Sequence, residues 1–498
     1  MPALCLFTMK DTSRLALIEA SHDRETLISS SSRCESDRWF TSVALAVSAV
    51  SLGYALQVSL GTLHPQAIFW LTVALVSCAV GVTAPAVLKP LICKIEMLAD
   101  KPVLIVLGVG LVLHFSQLFQ APAGSYVNLT RPGIALPFLI GLAIAAVLVG
   151  AGMAASPRLR RVWFPLLLLT HFLLGVWVIE ALPKPFIDVY IFQRDASNAL
   201  LHGVNPYALT FPDIYGGNSP YYGPGISVNG RLMFGFPYPP LSLYLVLPGH
   251  VLGGDYRYSQ LAAMTLAALL MAYARPAPYA RPGHLGAVAA SLYLFTPTGF
   301  FVLRRGWTEP FVVLLLSAVV FCACRKPKAL PCAFGLFLAI KQYLIFAIPL
   351  AFLLMRRPVH RRDLGGLWWK SGLVALAVNL PLVVWDVRAF MWDVVVLQLY
   401  QPFRLDALSF LAWIARDGGP QLPAGLAFAA AIIALALSLW KAARTPAGFA
   451  AATALTYFAF FAFNKQAFCN YYFFVVGALC CAIAATQPST EHADYDMG

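Results

Sequence analysis

Apolar runs of about 20 residues, the length of one membrane-spanning helix, recur from residue 40 to residue 486 and limit how this chain can fold. The 498 residues are 60% hydrophobic and only 11% charged, well below the roughly 25% charged fraction of soluble domains. In lipid, a helix satisfies its own backbone hydrogen bonds. The sequence therefore predicts an all-α polytopic membrane protein with about 12–14 transmembrane helices.

Basic side chains gather in short loops between the apolar runs, as the positive-inside rule describes for cytoplasmic loops. Placing these loops in the cytoplasm puts the long polar loop after the fifth run, residues 183–240, on the external side. It also accounts for the net charge of +13, so no nucleic-acid partner is expected. The first five runs cover residues 40–60, 67–88, 103–119, 135–155 and 162–182. The basic loops cover residues 89–101, 156–161, 275–281, 325–328, 356–362 and 441–444.

This topology places both ends of the chain in the cytoplasm. Residues 1–38 and 487–498 are therefore expected to be cytoplasmic tails. The later predicted spans cover residues 259–274, 284–303, 306–324, 367–385, 424–440, 446–463 and 468–486.

Two apolar runs do not fit as simple membrane spans. Between two cytoplasmic loops the chain must cross the membrane an even number of times, and a full span at either run would make that number odd. Residues 241–253, interrupted by Pro248, are predicted to form a partial or external helix. Residues 329–355 have basic clusters at both ends and Lys341-Gln342 in the middle. A straight helix would bury Lys341 at mid-membrane at a cost of about 3 kcal/mol, so a broken hairpin with an outward tip is predicted.

The ten cysteines show no metal-ligand spacing, and most lie inside apolar runs, where a free cysteine behaves as a small hydrophobe. No metal site and no cofactor is therefore predicted. His114 and His171 also lie within apolar helices and are expected to be packed there.

Asp188 lies just beyond the end of the fifth run, after two prolines and between Phe186 and Tyr190. A carboxylate fixed at a membrane boundary can act as a general base on a hydroxyl group. It can equally be an interfacial cap or an ion-pair partner for Arg194. Asp195, seven residues on, is either a second carboxylate of the site or a solvated side chain, and solvation is favoured.

Three strings in order resemble the first external loop of the C-type (GT-C) integral membrane glycosyltransferases. They are Asp188-Val-Tyr190, then His202-Gly-Val-Asn205-Pro-Tyr207, then Tyr238-Pro-Pro-Leu241. The resemblance covers roughly residues 162–486 and is greatest to glycosyltransferase family 87, which includes mannosyltransferases that use polyprenyl-phosphate mannose. Residues 39–155 have no counterpart in it. The resemblance therefore implies that residues 39–155 are an N-terminal four-helix membrane extension and that residues 156–486 are the catalytic membrane domain, with residues 183–240 as its external catalytic loop. The insertion at residues 211–236 is either a lid or ordered coil.

The resemblance implies that Asp188 is the catalytic base and that Tyr190, Asn205, Tyr207 and Tyr238 shape the substrate site. It also implies a polyprenyl-phosphate-linked sugar as donor, with a glycan or glycolipid as acceptor and membrane lipids around the chain. A bacterial inner membrane with an active site on the external, periplasmic side is expected on the same ground.

A phosphate donor requires cations to bind and stabilise the leaving group. Lys341 is the leading candidate, because an ionisable residue inside an apolar run is a functional hypothesis by default, although a snorkelling lysine is the alternative. Interfacial anchoring is the alternative for the two arginines before Trp307. The further candidate cations are Arg304, Arg305, Arg404 and Lys465, and the candidate polar groups are Asp195, Glu309, Gln342 and Asn470.

The sequence thus predicts an inverting glycosyltransferase in which Asp188 takes the proton of an acceptor hydroxyl and polyprenyl phosphate leaves. The sugar would be mannose or another hexose or pentose. A transporter or flippase for a lipid-linked or anionic solute, with Asp188, Glu309 and Lys341 as an ion relay, is the main alternative. A membrane scaffold without catalytic activity is the third.

Overall fold

The described part of the protein is mostly helical, with 76% of the described residues in helices. The computed structural model places α1 to α5 in the first half of the chain, α6 and a small sheet in the long polar loop, and α7 to α19 after it. The structure describes residues 41–83, 101–120, 135–154, 162–217, 219–275, 282–355 and 361–486.

Six of the described helices are long and apolar enough to cross a membrane, in agreement with a polytopic membrane protein. The first five fall on the five apolar runs at the start of the chain, and the sixth falls on the run at residues 367–385. These helices are α1 (Thr41–Ser59), α2 (Pro65–Thr83), α3 (Lys101–Gln120), α4 (Ala135–Ala154), α5 (Trp163–Ala181) and α14 (Arg361–Trp385).

Apart from α14, the described helices after the polar loop have at most 17 residues, and the predicted total of 12–14 spans stays a prediction. In chain order, the first six of these shorter helices are α7 (Pro240–Gly253), α8 (Arg257–Ala272), α9 (His284–Leu294), α10 (Thr298–Arg305), α11 (Glu309–Arg325) and α12 (Leu330–Ala339). The remainder are α13 (Ala347–Leu350), α15 (Val387–Val394), α16 (Phe410–Ala415), α17 (Gly425–Lys441), α18 (Pro446–Ala462) and α19 (Cys469–Ala484).

One predicted straight span, residues 284–303, is broken. The helix α9 ends at Leu294, α10 begins at Thr298, and their axes are bent by 57°. Pro297 lies in the break; it has no N–H to donate and its ring disfavours a helical residue before it. The bend turns α10 so that its last residues reach the edge of the cavity described below.

The run at residues 329–355 doubles back at Lys341, as predicted. Both arms reach neighbouring turns of α14, because Ser371 donates a hydrogen bond to the Pro331 carbonyl and Trp368 donates one to the Ile348 carbonyl. The predicted partial helix at residues 241–253 is α7, which at 14 residues is too short to span.

Several predictions concern segments outside the described residues. These are both tails, the basic loops at residues 89–100 and 156–161, and parts of the basic loops at residues 276–281 and 356–360.

The helices divide into a buried core and a lipid-compatible periphery. Almost every residue of α18 and α19 is buried. By contrast, α3 and α4 expose large apolar side chains such as Val112 and Val147, each 70% accessible. An apolar surface of this kind is stable against hydrocarbon and costly against water.

The polar loop at residues 183–240 is ordered around α6 (Asp188–Leu201) and a three-stranded antiparallel sheet. The strands are β1 (Phe211–Pro212), β2 (Ser227–Val228) and β3 (Arg231–Leu232), with β3 in the middle. A separate small hydrophobic cluster holds the sheet against α6, formed by Phe192, Phe211, Ile226, Leu232, Phe234 and Leu397. The insertion at residues 211–236 therefore has a core of its own.

The buried guanidinium of Arg257, at the start of α8, joins the chain segments that surround Asp188. It forms an ion pair with Asp255 at 2.6 Å and donates to the Leu182 carbonyl at 2.8 Å and the Arg304 carbonyl at 3.2 Å. The Tyr190 hydroxyl donates to the same Asp255 carboxylate at 3.3 Å. Arg257 thereby fixes the end of α5, the end of α10 and one face of α6 relative to each other.

Gly306 makes the turn between α10 and α11. Its φ of 72° lies in the left-handed region, and a Cβ atom there would lie 2.2 Å from the Tyr256 hydroxyl oxygen. The Gly306 carbonyl accepts hydrogen bonds from Tyr256 and Gln260, both at 2.8 Å. This turn fixes Arg305 and Glu309 on the two sides of one glycine.

We expect Arg257→Ala to destabilise the protein by about 3–5 kcal/mol, because it leaves the Asp255 carboxylate buried without its partner. Thermal unfolding of the purified chain measures this loss. Arg416→Ala is the matched control, since the Arg416–Asp417 pair is largely exposed and its removal should cost no more than about 1 kcal/mol. Equal unfolding temperatures for Arg257→Ala and wild type would contradict the assignment.

Candidate functional site

A cavity of about 590 Å³ lies where the polar loop meets the helix ends. Seven chain segments line it: the end of α1, the start of α6, the loop insertion, the α10–α11 turn, the break at Lys341, residues 397–406 and the start of α19. Segments that are far apart in sequence therefore converge on one cavity.

Three helices begin at this cavity. Asp188 is the first residue of α6, Glu309 is the first residue of α11, and Asn470 is in the first turn of α19. Helix N-termini carry a partial positive charge and free backbone N–H groups. The cavity therefore favours negative charge independently of its side chains.

Asp188 is held by three hydrogen bonds. Its Oδ2 accepts from the Tyr222 hydroxyl at 3.0 Å, its Oδ1 accepts from the Val189 N–H at 2.8 Å, and its own N–H donates to the Tyr215 hydroxyl at 3.3 Å. Arg194, the alternative ion-pair partner, instead forms an ion pair with Asp195 at 2.7 Å. The Asp188 carboxylate is thus oriented by hydroxyl and backbone groups.

The environment makes Asp188 a stronger base than an exposed aspartate. Burial raises its pKa above the usual range, while the hydrogen bonds from Tyr222 and Val189 and the charge of Arg404 oppose part of this rise. A raised pKa combined with a fixed orientation is what general base catalysis requires.

The loop insertion contributes a tyrosine cluster beside this carboxylate. Tyr215 and Tyr221 have ring centroids 4.4 Å apart, and the Arg404 guanidinium lies 4.4 Å from the Tyr221 ring centroid. Burial and the nearby Asp188 raise the pKa of Tyr215 and Tyr222, so both remain neutral hydrogen-bond donors. The tyrosine-rich composition of residues 211–236 was the only sequence signal for this cluster.

Three basic and three acidic side chains line the cavity, and four of them form two ion pairs. Lys341 Nζ lies 3.2 Å from Glu309 Oε1, and Arg404 Nη2 lies 2.7 Å from Asp406 Oδ2. The third basic group, Arg305, donates to the Phe186 carbonyl at 3.1 Å. Within the described part of the chain, Arg305 has no carboxylate at ion-pair distance. Its positive charge is therefore not compensated by an ion pair, unlike the charges of Lys341 and Arg404.

Lys341 is buried and held on two sides. Besides Glu309, its Nζ faces the Tyr238 ring, 4.3 Å from the centroid. Both carboxylate oxygens of Glu309 are buried, and apart from the Lys341 ammonium near Oε1 neither oxygen has a hydrogen-bond donor among the described residues. The pair therefore presents hydrogen-bond acceptors to the cavity, next to an aromatic face. Uncharged polar side chains complete this wall: Gln398, Gln401, Gln466 and Asn470.

Seven of the predicted site residues thus share the cavity: Asp188, Tyr238, Arg305, Glu309, Lys341, Arg404 and Asn470. Three others support it from behind. The Tyr190 hydroxyl donates to Pro183 and Asp255, and the Tyr207 hydroxyl donates to the Tyr238 carbonyl at 2.8 Å. Gln342 donates to the Pro237 carbonyl at 3.0 Å.

The remaining four predicted site residues do not line the cavity. Asn205 caps the turn that contains Tyr207, accepting from its N–H at 3.0 Å. Lys465 donates to the Gln401 carbonyl, and burial lowers its pKa. Asp195 pairs with Arg194, and the Arg304 carbonyl accepts from Arg257.

Asp393 on α15 is a residue that sequence reasoning missed. Its Oδ1 accepts from the Gly235 N–H at 2.9 Å, which ties the end of the loop insertion to α15. Burial raises its pKa to about 7. A single aspartate in an amphipathic stretch gives no sequence signal for such a contact.

The cavity does not contain a candidate metal centre. Among the described residues, no group of three or more His, Cys, Asp or Glu side chains could hold a metal ion. The acidic groups of the cavity are instead matched by basic ones.

We expect Tyr222→Phe to raise the pKa of Asp188, because the substitution removes a hydrogen bond that stabilises the charged carboxylate. Titration of the protonated-carboxyl infrared band, assigned with Asp188→Asn, measures the shift. Tyr221→Phe is the matched control, since its ring packs nearby but no hydrogen bond joins its hydroxyl to Asp188. A downward shift in Tyr222→Phe would contradict the geometry.

Comparison with known proteins gives no match, whether to a family model, to a curated sequence or to a solved structure. The function is therefore inferred from the cavity and from the chemistry of the side chains that line it.

Proposed function

We propose that the protein is a polyprenyl-phosphate-dependent glycosyltransferase of the C-type, acting on the external side of a bacterial plasma membrane. The observation that carries this proposal is the pairing, in one cavity, of an oriented carboxylate of raised pKa, Asp188, with the uncompensated cation Arg305. Sugar transfer from a lipid phosphate needs both a base for the acceptor and a cation for the leaving group.

Arg305 is assigned to the donor phosphate. Its Nη1 is fixed on the Phe186 carbonyl, two residues before Asp188, which leaves its other donors for a ligand. A guanidinium binds phosphate oxygens through parallel hydrogen bonds. Lys341 and Arg404 already have carboxylate partners, so each stabilises a phosphate more weakly than an unpaired cation would. Lys341, the leading candidate from the sequence, is therefore replaced by Arg305 in this role.

The sugar is assigned to the wall formed by Glu309, Lys341 and Tyr238. Glu309 offers buried acceptor oxygens to sugar hydroxyls, and a vacant acceptor of this kind gains a strong hydrogen bond on binding. The Tyr238 ring and Trp307 supply apolar faces. Mannose or another hexose or pentose suits this combination.

In the reaction, the acceptor hydroxyl oxygen attacks the anomeric carbon of the sugar and forms the new glycosidic bond. Asp188 takes the hydroxyl proton as this bond forms. The bond between the anomeric carbon and the phosphate oxygen breaks, and its electron pair leaves with polyprenyl phosphate toward Arg305. A single displacement inverts the configuration at the anomeric carbon.

A transporter for a lipid-linked or anionic solute is the second candidate. The observation that favours it is the buried Glu309–Lys341 pair at 3.2 Å, because buried ionisable pairs in membrane proteins often form ion relays. Solute accumulation in vesicles that carry the purified protein, without any sugar transfer, would favour this candidate over the enzyme.

We expect Asp188→Asn to lower sugar transfer by about 10²–10⁴-fold, since the amide cannot accept the proton. The measurement is transfer of label from a polyprenyl-phosphate sugar in membranes that contain equal amounts of folded protein. Asp195→Asn is the matched control and should retain transfer, because Asp195 lies outside the cavity. Full activity in Asp188→Asn would refute the assignment of the base.

We expect Arg305→Gln to lower kcat/KM for the donor by about 10–100-fold, through loss of a charged hydrogen bond to phosphate. Steady-state kinetics with varied donor concentration measures this change. Arg231→Gln removes the same charge from the loop sheet, away from the cavity, and should leave kcat/KM unchanged. A similar loss in both variants would indicate a general electrostatic effect and contradict the assignment of Arg305.

A further inference from the structure

A second cavity of about 330 Å³ lies at the opposite ends of helices that line the first. The helix α1 contributes Ser59 to the first cavity and Ser42 to the second. The helix α19 contributes Asn470 to the first and Ala482 to the second. The two cavities are therefore separated by the length of these helices.

The distance between the two cavities matches the thickness of a membrane. The 19 residues of α1 extend over about 28 Å at 1.5 Å per residue, close to the hydrocarbon thickness of about 30 Å. With the first cavity at one membrane–water boundary, the second lies at the other. The exposed Trp440, beside Lys441, is typical of that boundary.

The polar groups of the second cavity are those that bind an anion. Arg275 and Lys441 line it, together with four hydroxyl-bearing residues, and no acidic side chain is present among its described lining residues. The Arg275 Nε donates to the Ala485 carbonyl at 3.2 Å, which fixes the guanidinium and leaves its terminal nitrogens for a ligand. The hydroxyl groups belong to Thr41, Ser42, Thr445 and Thr486.

The remaining wall is apolar and made of small side chains. Alanine and glycine residues of the first turns of α18 and the last turns of α19 lie there, with Leu45 and Val82 from α1 and α2. A free inorganic anion gains nothing from such a wall. A lipid does, because its glycerol and upper acyl groups are apolar while its phosphate is charged.

We propose that this cavity binds the phosphate head group of an anionic phospholipid. Basic pockets between transmembrane helices on the cytoplasmic side bind such head groups. The site is separate from the proposed sugar transfer and does not depend on it. Bound lipid would link α1, α8, α17, α18 and α19 at the end of the bundle opposite the first cavity.

The test is titration of the purified full chain, in neutral detergent, with short-chain phosphatidylglycerol, phosphatidylcholine or inorganic phosphate. The unfolding temperature is followed by intrinsic fluorescence. We expect phosphatidylglycerol to raise it and the other two to leave it nearly unchanged. Lys441→Gln should weaken the apparent affinity about fivefold, as expected for loss of one lysine near an anionic head group. Ala447→Leu should weaken it by filling the cavity.

Lys328→Gln is the matched control. It removes one exposed lysine at the same end of the bundle but outside the cavity, and it should bind phosphatidylglycerol as wild type does. An equal effect of Lys328→Gln and Lys441→Gln would overturn the proposal. So would equal shifts with phosphatidylglycerol and phosphatidylcholine, or a full shift with inorganic phosphate alone.

Discussion

The buried guanidinium of Arg257 is the group on which the geometry of the site depends. It binds the carbonyls that end α5 and α10 and, through Asp255, the hydroxyl of Tyr190 on α6. These are the segments that carry Asp188 and Arg305. A charge buried this deeply is stable only when its donors are satisfied, so the three segments are held together or the site does not form.

Charge compensation then decides which groups are available for chemistry. In the cavity two ion pairs, Glu309–Lys341 and Arg404–Asp406, compensate four of the six charged side chains. Asp188 and Arg305 have no partner of opposite charge at ion-pair distance within the described residues. Asp188 and Arg305 are therefore the charged groups that a ligand can engage without breaking an ion pair. Their interaction with a ligand is strong, because water screens charges only weakly in a partly desolvated cavity.

The sequence predicted the helical membrane class, the polar loop, the hairpin at Lys341 and seven residues that line the cavity, because hydropathy and isolated charges in apolar runs are local signals. It missed the break at Pro297, the small sheet and the tyrosine cluster. Arg257 and Asp393 were missed as well. Although Arg257 pairs with the nearby Asp255, both residues connect segments through contacts with residues more than 45 apart in the chain, such as Arg257 with Arg304 and Asp393 with Gly235. Spacing in one sequence does not encode such contacts.

The most direct test of the proposed function is a structure of the full chain in a lipid disc with a non-reacting phosphonate analogue of a polyprenyl-phosphate sugar. We expect the phosphonate to contact Arg305 and the sugar to lie against Tyr238 and Glu309. The anomeric carbon of the sugar should face Asp188 across a gap that fits one hydroxyl group. An analogue bound outside this cavity, or with its phosphonate against Asp188, would contradict the roles proposed for Asp188 and Arg305.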